Sequence, residues 1–166
     1  MSVQTEVWLR GPVVGVPAPL QPVAHALVQA REDVGRVAPS VPLATLWERP
    51  GAASAGFHLL HLAGALDRLF TYARGEPLDD AQKAAARAET LDHPALDGAA
   101  LASLVSAAVD RALDQLRGTD PQSLLDTRAI GRAGLPSTVM GCLFHAAEHT
   151  ARHTGQFITT AKIAAR

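Results

Sequence analysis

Apolar residues recur every three or four positions in four long segments of the chain, which is the spacing of an amphipathic helix. The first segment covers residues 20–38 and is ended by Pro39 and Pro42, because proline lacks an N–H donor and restricts the residue before it. The second begins near Ser54, a good helix N-cap, and stops at Gly75, which suits the position just after a helix.

The third long segment, residues 97–117, is terminated by Gly118. Between the second and third segments, residues 76–89 predict a short helix that is capped by Asp79. Residues 1–17 contain two prolines and two glycines and predict an irregular N-terminal arm.

The fourth long helix is predicted to start after Pro136, with Ser137 or Thr138 as its cap, and to run almost to the end of the chain. Residues 118–136 before it predict a loop, which is unusually long for a compact domain unless it is functional or holds a short element. Helices with one apolar stripe must bury it against each other. We therefore expect an all-α four-helix bundle, with a short extra helix and the arm, in a single domain over residues 1–166.

Composition supports this fold and argues against some classes of binding partner. Hydrophobic residues make up 48% of the 166-residue chain and aromatic residues only 4%, with abundant alanine, which favours helices. The net charge is −1 and no basic stripe is present, which argues against nucleic acid as a partner. No stretch approaches the roughly 20 apolar residues of a membrane span, and no signal pattern opens the chain. The single cysteine, Cys142, excludes an intrachain disulfide and fits a cytoplasmic protein.

The histidines suggest a metal site. The stretch "FHAAEHTARHTGQ", residues 144–156, places His145, His149 and His153 four residues apart on nearly one helix face. Two helical histidines four apart can hold zinc, but a catalytic site needs about three protein ligands and an open position. The second helix can supply another, because His58 and His61 lie among leucines, where an unpaired polar group is unfavourable. The alternative is that these are core and surface histidines that bind nothing.

The stretches "GFHLLHLAGALDRLFTYARGEPLDDAQ" and "HAAEHTARHTGQ" resemble the DinB-like (DinB/YfiT) superfamily of metal-dependent enzymes, and the resemblance covers the second to fourth long helices. It implies a four-helix bundle, commonly dimeric, in which three histidines bind a divalent metal, usually zinc or nickel. Carried over by motif, the ligands are His61, His149 and His153. Relatives include thiol-dependent transferases and isomerases, such as those that use mycothiol or bacillithiol.

This resemblance implies an enzyme that acts on a small molecule, either as a hydrolase or as a thiol-dependent transferase or isomerase with a low-molecular-weight thiol, in a homodimer. The spacing reveals no carboxylate base, so His145 and Gln156 are the candidates for proton handling and other catalytic roles. The alternatives are a non-catalytic bundle that binds metal or a small ligand, with a stress-related role, and a purely structural bundle.

Four further residues near the predicted site also have expected roles. Two of them, Arg68 and His58, have two alternative roles each. Arg68 is seven residues past His61 and is expected either to pair with a carboxylate in the bundle or to capture an anionic substrate group. His58 is expected either to support the site or to pack at its rim. Glu148 is expected in a surface ion pair, and Cys142 as a small buried hydrophobe.

Overall fold

The computed structural model describes residues 5–166 and is built mainly of helices. The six α-helices are α1 (Gln21–Val37), α2 (Leu43–Leu46), α3 (Ala55–Ala73), α4 (Asp80–Ala88), α5 (Gly98–Gly118) and α6 (Val139–Ala164). Short 3₁₀ turns lie at Val7–Leu9, Ala18–Leu20, Ala38–Ser40 and Pro121–Leu125, and two short strands are β1 (Thr127–Ile130) and β2 (Leu135–Thr138).

The long helices α1, α3, α5 and α6 form a four-helix bundle. Both α1 and α3 pack against α5 and α6, so α1 and α3 occupy one diagonal of the bundle. Each long helix buries its apolar stripe in a shared core, and fully buried side chains include Leu27, Leu62, Leu116 and Phe157. The expected all-α class is confirmed, because only the small two-stranded sheet is not helical among the regular elements described.

The helix boundaries agree with the predicted capping residues. Ser54, Asp79 and Thr138 cap α3, α4 and α6, and each side chain accepts a hydrogen bond from a backbone N–H three residues later. Thr138, rather than Ser137, is therefore the cap of the last helix. Gly75 follows α3 with a φ of +80°, a backbone conformation that glycine adopts without steric strain.

The segment of residues 118–136, predicted as a loop that is functional or holds a short element, contains a 3₁₀ turn and most of a β-hairpin. β1 and β2 pair antiparallel, and Gly131 and Gly134 take positive φ in the turn between them. The sequence did not reveal the strands, because each has only four residues and none of these residues is fully buried. The hairpin leads directly into α6.

The N-terminal arm, as far as the structure describes it, lies on the bundle. Val7 and Val16 are buried, and the backbone N–H of Val7 donates a hydrogen bond to the side-chain oxygen of Gln29 in α1. The first four residues of the predicted arm lie outside the described residues. Within residues 5–166, no helix is both long enough and apolar enough to cross a lipid bilayer.

Candidate metal centre

Helices α3 and α6 face each other with histidines on both sides of their interface. His61 lies opposite His149, with their Nε2 atoms 3.0 Å apart, and His58 lies opposite His153, with their Nδ1 atoms 3.1 Å apart. Residue numbers rise along α3 as they fall along α6, so the two helices are antiparallel. The i, i+4 spacing on α6 and the i, i+3 spacing on α3 therefore bring four imidazoles into one cluster.

Three of these rings have the geometry of a metal site. Each of His61, His149 and His153 offers one ring nitrogen, and the three nitrogens all lie within 4.8 Å of one another. Nitrogens that bind one tetrahedral zinc ion at about 2.0–2.1 Å are separated by roughly 3.3 Å, a value that lies within this limit. The distance between the rings therefore allows a single ion to bridge them.

The ring nitrogens are suited to accept a cation. Burial, and next the neighbouring rings of the cluster, lower the pKa of His153 to about 4. Burial and the proximity of His61 also lower the pKa of His149. Neutral rings keep the lone pairs that a metal ion requires. The Nδ1 atom of His149 is buried without a hydrogen-bond partner, so the protein itself leaves part of this cluster unsatisfied.

A buried carboxylate supports His61 from the side. Glu89, which directly follows α4, lies with Oε2 2.8 Å from Nδ1 of His61. Arg68 donates hydrogen bonds to both carboxylate oxygens of Glu89. Burial would raise the pKa of Glu89, but the hydrogen bonds from His61 and Arg68 outweigh it and hold the pKa below its usual value.

The contact with Glu89 decides between the two interpretations of Arg68. Its guanidinium is paired with a carboxylate inside the protein, which was the first of the two expected roles. The sequence missed Glu89 itself, because nothing in the run "AQKAAARAE" marks its last residue as buried. The one available signal was that Arg68, on an apolar helix, needed a carboxylate partner from elsewhere in the chain.

A cleft borders the cluster on the side of His58. It has a volume of about 540 Å³, and His58, Arg152, Gln156 and Thr159 are among its lining residues, together with the loop of residues 50–53. His58 is buried, and burial followed by the proximity of His61 lowers its pKa. Its ring therefore contacts a predicted ligand, His153, and also reaches the cleft. Of the two expected roles of His58, this position fits support of the site and not packing at its rim.

The comparison with known families agrees with this architecture. The family profile described as the DinB superfamily matches residues 5–157, which is most of the chain. The chain belongs to the DinB superfamily. A crystal structure of a conserved protein from Enterococcus faecalis superimposes with a TM-score of 0.68 at 20% identity, covering 88% of this chain and 96% of that chain. At that identity the similarity shows the shared fold alone. No curated protein matches the chain significantly.

In this DinB-superfamily chain the two predicted catalytic residues lie at the edge of the cluster. His145 is 52% exposed, its ring centroid is 5.4 Å from that of His149, and its Nδ1 is 3.4 Å from a carboxylate oxygen of Glu148. Gln156 is exposed and lines the cleft. Their catalytic roles therefore stay predictions, with His145 next to a ligand ring and Gln156 on the cleft wall.

Two other expectations describe residues outside the cluster. Glu148 forms an ion pair with Arg152 on the surface of α6, as expected. Cys142 is buried in the core, and burial raises the pKa of its thiol above the usual value, although a hydrogen bond with Ser137 and the charge of Arg128 act in the opposite direction. A buried, protonated thiol fits the interpretation of Cys142 as a small hydrophobe.

Proposed function

We propose that the chain is a metal-dependent enzyme that acts on a small molecule, with zinc or nickel bound by His61, His149 and His153. The observation that supports this most strongly is the convergence of three ring nitrogens from two antiparallel helices. Membership of the DinB superfamily is compatible with a metal-dependent protein. Three protein ligands leave a coordination position open, which distinguishes a catalytic site from a closed structural one.

A divalent cation held at this position acts as a Lewis acid, which polarises a carbonyl group and makes a water molecule or a thiol more acidic. The residues of the chain hold and orient the reacting groups around it. Glu89 lies within hydrogen-bond distance of the ring of His61, and Phe57 stacks on the same ring with centroids 5.3 Å apart and an interplanar angle of 8°. His58 and Gln156 offer hydrogen-bonding groups to a substrate in the adjoining cleft.

Between hydrolysis and thiol chemistry, we favour a thiol-dependent transfer or isomerisation. Hydrolysis usually needs a general base near the attacking water. The carboxylate that contacts the cluster, Glu89, is already bonded to His61 and Arg68 and so is not available as that base. A low-molecular-weight thiol has a much lower pKa than water and needs less help from the protein. His145 is the proposed group for handling its proton.

Metal content is the first test. We expect about one zinc or nickel ion per chain in the purified protein, measured by elemental analysis. His149→Ala should reduce the metal affinity by more than the roughly 10–100-fold that follows loss of a supporting residue. His25→Ala is a matched control, because His25 lies on α1 and contacts the carbonyl of Gly11 instead of the cluster. A wild-type protein that binds no divalent metal would contradict the proposal.

Activity is the second test. The metal-loaded protein should be assayed with esters, amides and electrophiles, each with and without a low-molecular-weight thiol. We expect turnover of an electrophile that requires the thiol and is abolished by a chelator and by His149→Ala. Turnover of esters or amides without thiol would favour a hydrolase. Stoichiometric metal without chelator-sensitive turnover would support a non-catalytic metal-binding bundle instead.

We further propose that the protein is a homodimer, because the family resemblance implies one. Sedimentation equilibrium at micromolar concentration measures the mass directly. A mass of twice 17.4 kDa is expected. A monomeric mass over the whole concentration range would contradict this proposal without affecting the metal site.

A further inference from the structure

We propose that Glu89 is a positioning residue that fixes the ring of His61 for metal binding, and that Gly64 provides the space for its carboxylate. This inference rests on the proposed metal site and adds a second layer of residues to it. It joins residues from two parts of the chain: Gly64 and Arg68 on α3, and Glu89 directly after α4.

The first argument is the burial of a charged group. Glu89 is only 7% exposed, and a buried carboxylate is strongly unfavourable unless it is paired and hydrogen-bonded. Both of its oxygens have partners: Oε1 accepts from Arg68, and Oε2 accepts from Arg68 at 3.2 Å and lies 2.8 Å from His61. The structure thus places a buried ion pair, Arg68 with Glu89, next to Nδ1 of a single imidazole.

The second argument is the tautomer of the His61 ring. An ionised carboxylate can only accept hydrogen bonds, so Nδ1 of His61 must donate to Glu89. In the neutral ring, Nε2 then keeps its lone pair, and this is the atom that lies 3.0 Å from Nε2 of His149. Glu89 therefore selects the tautomer and the ring orientation that point a lone pair into the cluster.

The third argument is the close fit at Gly64. A Cβ atom at this position would lie 2.0 Å from Oε1 of Glu89 and 2.8 Å from Nη1 of Arg68. Any side chain here must therefore displace the carboxylate from its present place. Glycine weakens the interior of a helix, but at Gly64 its missing Cβ leaves the space that the carboxylate occupies next to His61.

Substitution of Glu89 tests the role of the carboxylate. We expect Glu89→Ala to lower the zinc affinity roughly 10–100-fold in a competition with a chromogenic chelator, and Glu89→Gln to lower it less, because the amide oxygen still accepts a hydrogen bond. The visible spectrum of the cobalt-loaded protein should change in both variants. Glu32→Gln is the matched control, because Glu32 pairs with Arg10 at the surface, and it should change neither measurement.

Substitution of Gly64 tests the geometry with Glu89, His61 and Arg68 all still present. Gly64→Ala should lower the zinc affinity by a factor in the range found for the Glu89 variants. The atoms that the new Cβ displaces are the ends of flexible side chains, so the metal-free variant should fold. Gly35→Ala is the control, because a Cβ at Gly35 on α1 would meet nothing within 4 Å, and it should keep the wild-type affinity.

The outcomes separate this inference from the proposed function. If the wild-type protein binds no metal, both proposals fail. If the wild type binds zinc while Gly64→Ala and the Glu89 variants bind it with equal affinity and unchanged cobalt spectra, only the positioning role is overturned. If Glu89→Ala does not fold, the Gly64→Ala variant decides: an unchanged zinc affinity overturns the positioning role of Glu89, and a reduced zinc affinity supports it.

Discussion

At the scale of single residues, the three predicted ligands differ in the group that faces the Nδ1 atom of the ring. Nδ1 of His61 faces the Glu89 carboxylate, and Nδ1 of His153 faces another imidazole, that of His58. Nδ1 of His149 is buried with no partner. Because the partner of one nitrogen determines the tautomer and basicity of the other, the rings are not equivalent ligands. We expect His61 to be the most firmly oriented of the three.

The lowered pKa of His153 leads to a pH prediction for the metal-free protein. In the unfolded chain a histidine takes up a proton near pH 6.5, whereas in the folded protein His153 does so only at about 4. As the pH falls from 6.5 to 4, the unfolded state therefore binds more protons and the free energy of unfolding decreases. His153→Gln should remove on the order of 1–3 kcal/mol of that decrease, measured by urea unfolding across this range.

His25→Gln is the control for this pH effect, because His25 lies on α1 and contacts the carbonyl of Gly11 instead of the cluster. It should leave the slope of stability against pH nearly as in the wild type. A slope in His153→Gln that equals the wild-type slope would contradict the pH prediction.

At the scale of elements, the site depends on close packing between helices and their connections. Besides Gly64, the glycines that permit this include Gly56 and Gly98. A Cβ at Gly56 would lie 2.6 Å from the ring of Trp47, and a Cβ at Gly98 would lie 1.8 Å from the carbonyl oxygen of Ala38. The first contact fixes the connector against the start of α3, a few residues from His58. The second fixes the start of α5 against the end of α1.

We predict that Gly98→Ala destabilises the protein. The Cβ would collide with backbone, which cannot move aside as a side chain can, so the start of α5 must shift. Strain of this kind typically lowers the free energy of unfolding by about 1–3 kcal/mol, which urea denaturation measures. Gly35→Ala, in the open interior of α1, should instead raise it by roughly 0.5–1 kcal/mol. Equal stability of the two variants would refute the prediction.

At the scale of the whole molecule, the four long helices and the short helix α4 have different structural roles. The bundle supplies the core and carries the histidines on two packed helices, α3 and α6. The short helix α4 packs against α3, and the residue that directly follows it, Glu89, provides the carboxylate next to His61. The cluster thus joins elements that are distant in the chain, so binding of an ion should stabilise the fold as a unit.

We predict that divalent metal raises the melting temperature. A ligand present at 100 times its dissociation constant stabilises the native state by about 2.7 kcal/mol, provided that the unfolded chain binds it only weakly. For a chain of this length, that corresponds to an increase of roughly 5–11 °C in Tm. Calorimetry with zinc and with excess chelator measures the shift, and His149→Ala should abolish it. A shift that persists in this variant would place the metal elsewhere.

The sequence alone determined the local features of this protein. The three-and-four spacing of apolar residues, the caps at Ser54 and Asp79, and the glycine after α3 fix where helices begin and end, because these signals act within a few residues. The same periodicity placed His149 and His153 on one face. The family resemblance added His61, and the structure brings all three rings together.

Tertiary structure decided the rest, because it depends on contacts between distant residues. The carboxylate next to His61 comes from Glu89, 28 residues along the chain, and no spacing rule links the two. The hairpin before α6 was missed because each strand has only four residues, and because β1 is held to α3 by a contact between distant residues, the hydrogen bond from Arg128 to the carbonyl of Ala73. The cleft beside His58 likewise exists only once a connector and the end of α6 pack together. Local spacing and the family resemblance thus predicted which histidines bind metal, and packing between distant parts of the chain surrounds these histidines with supporting groups.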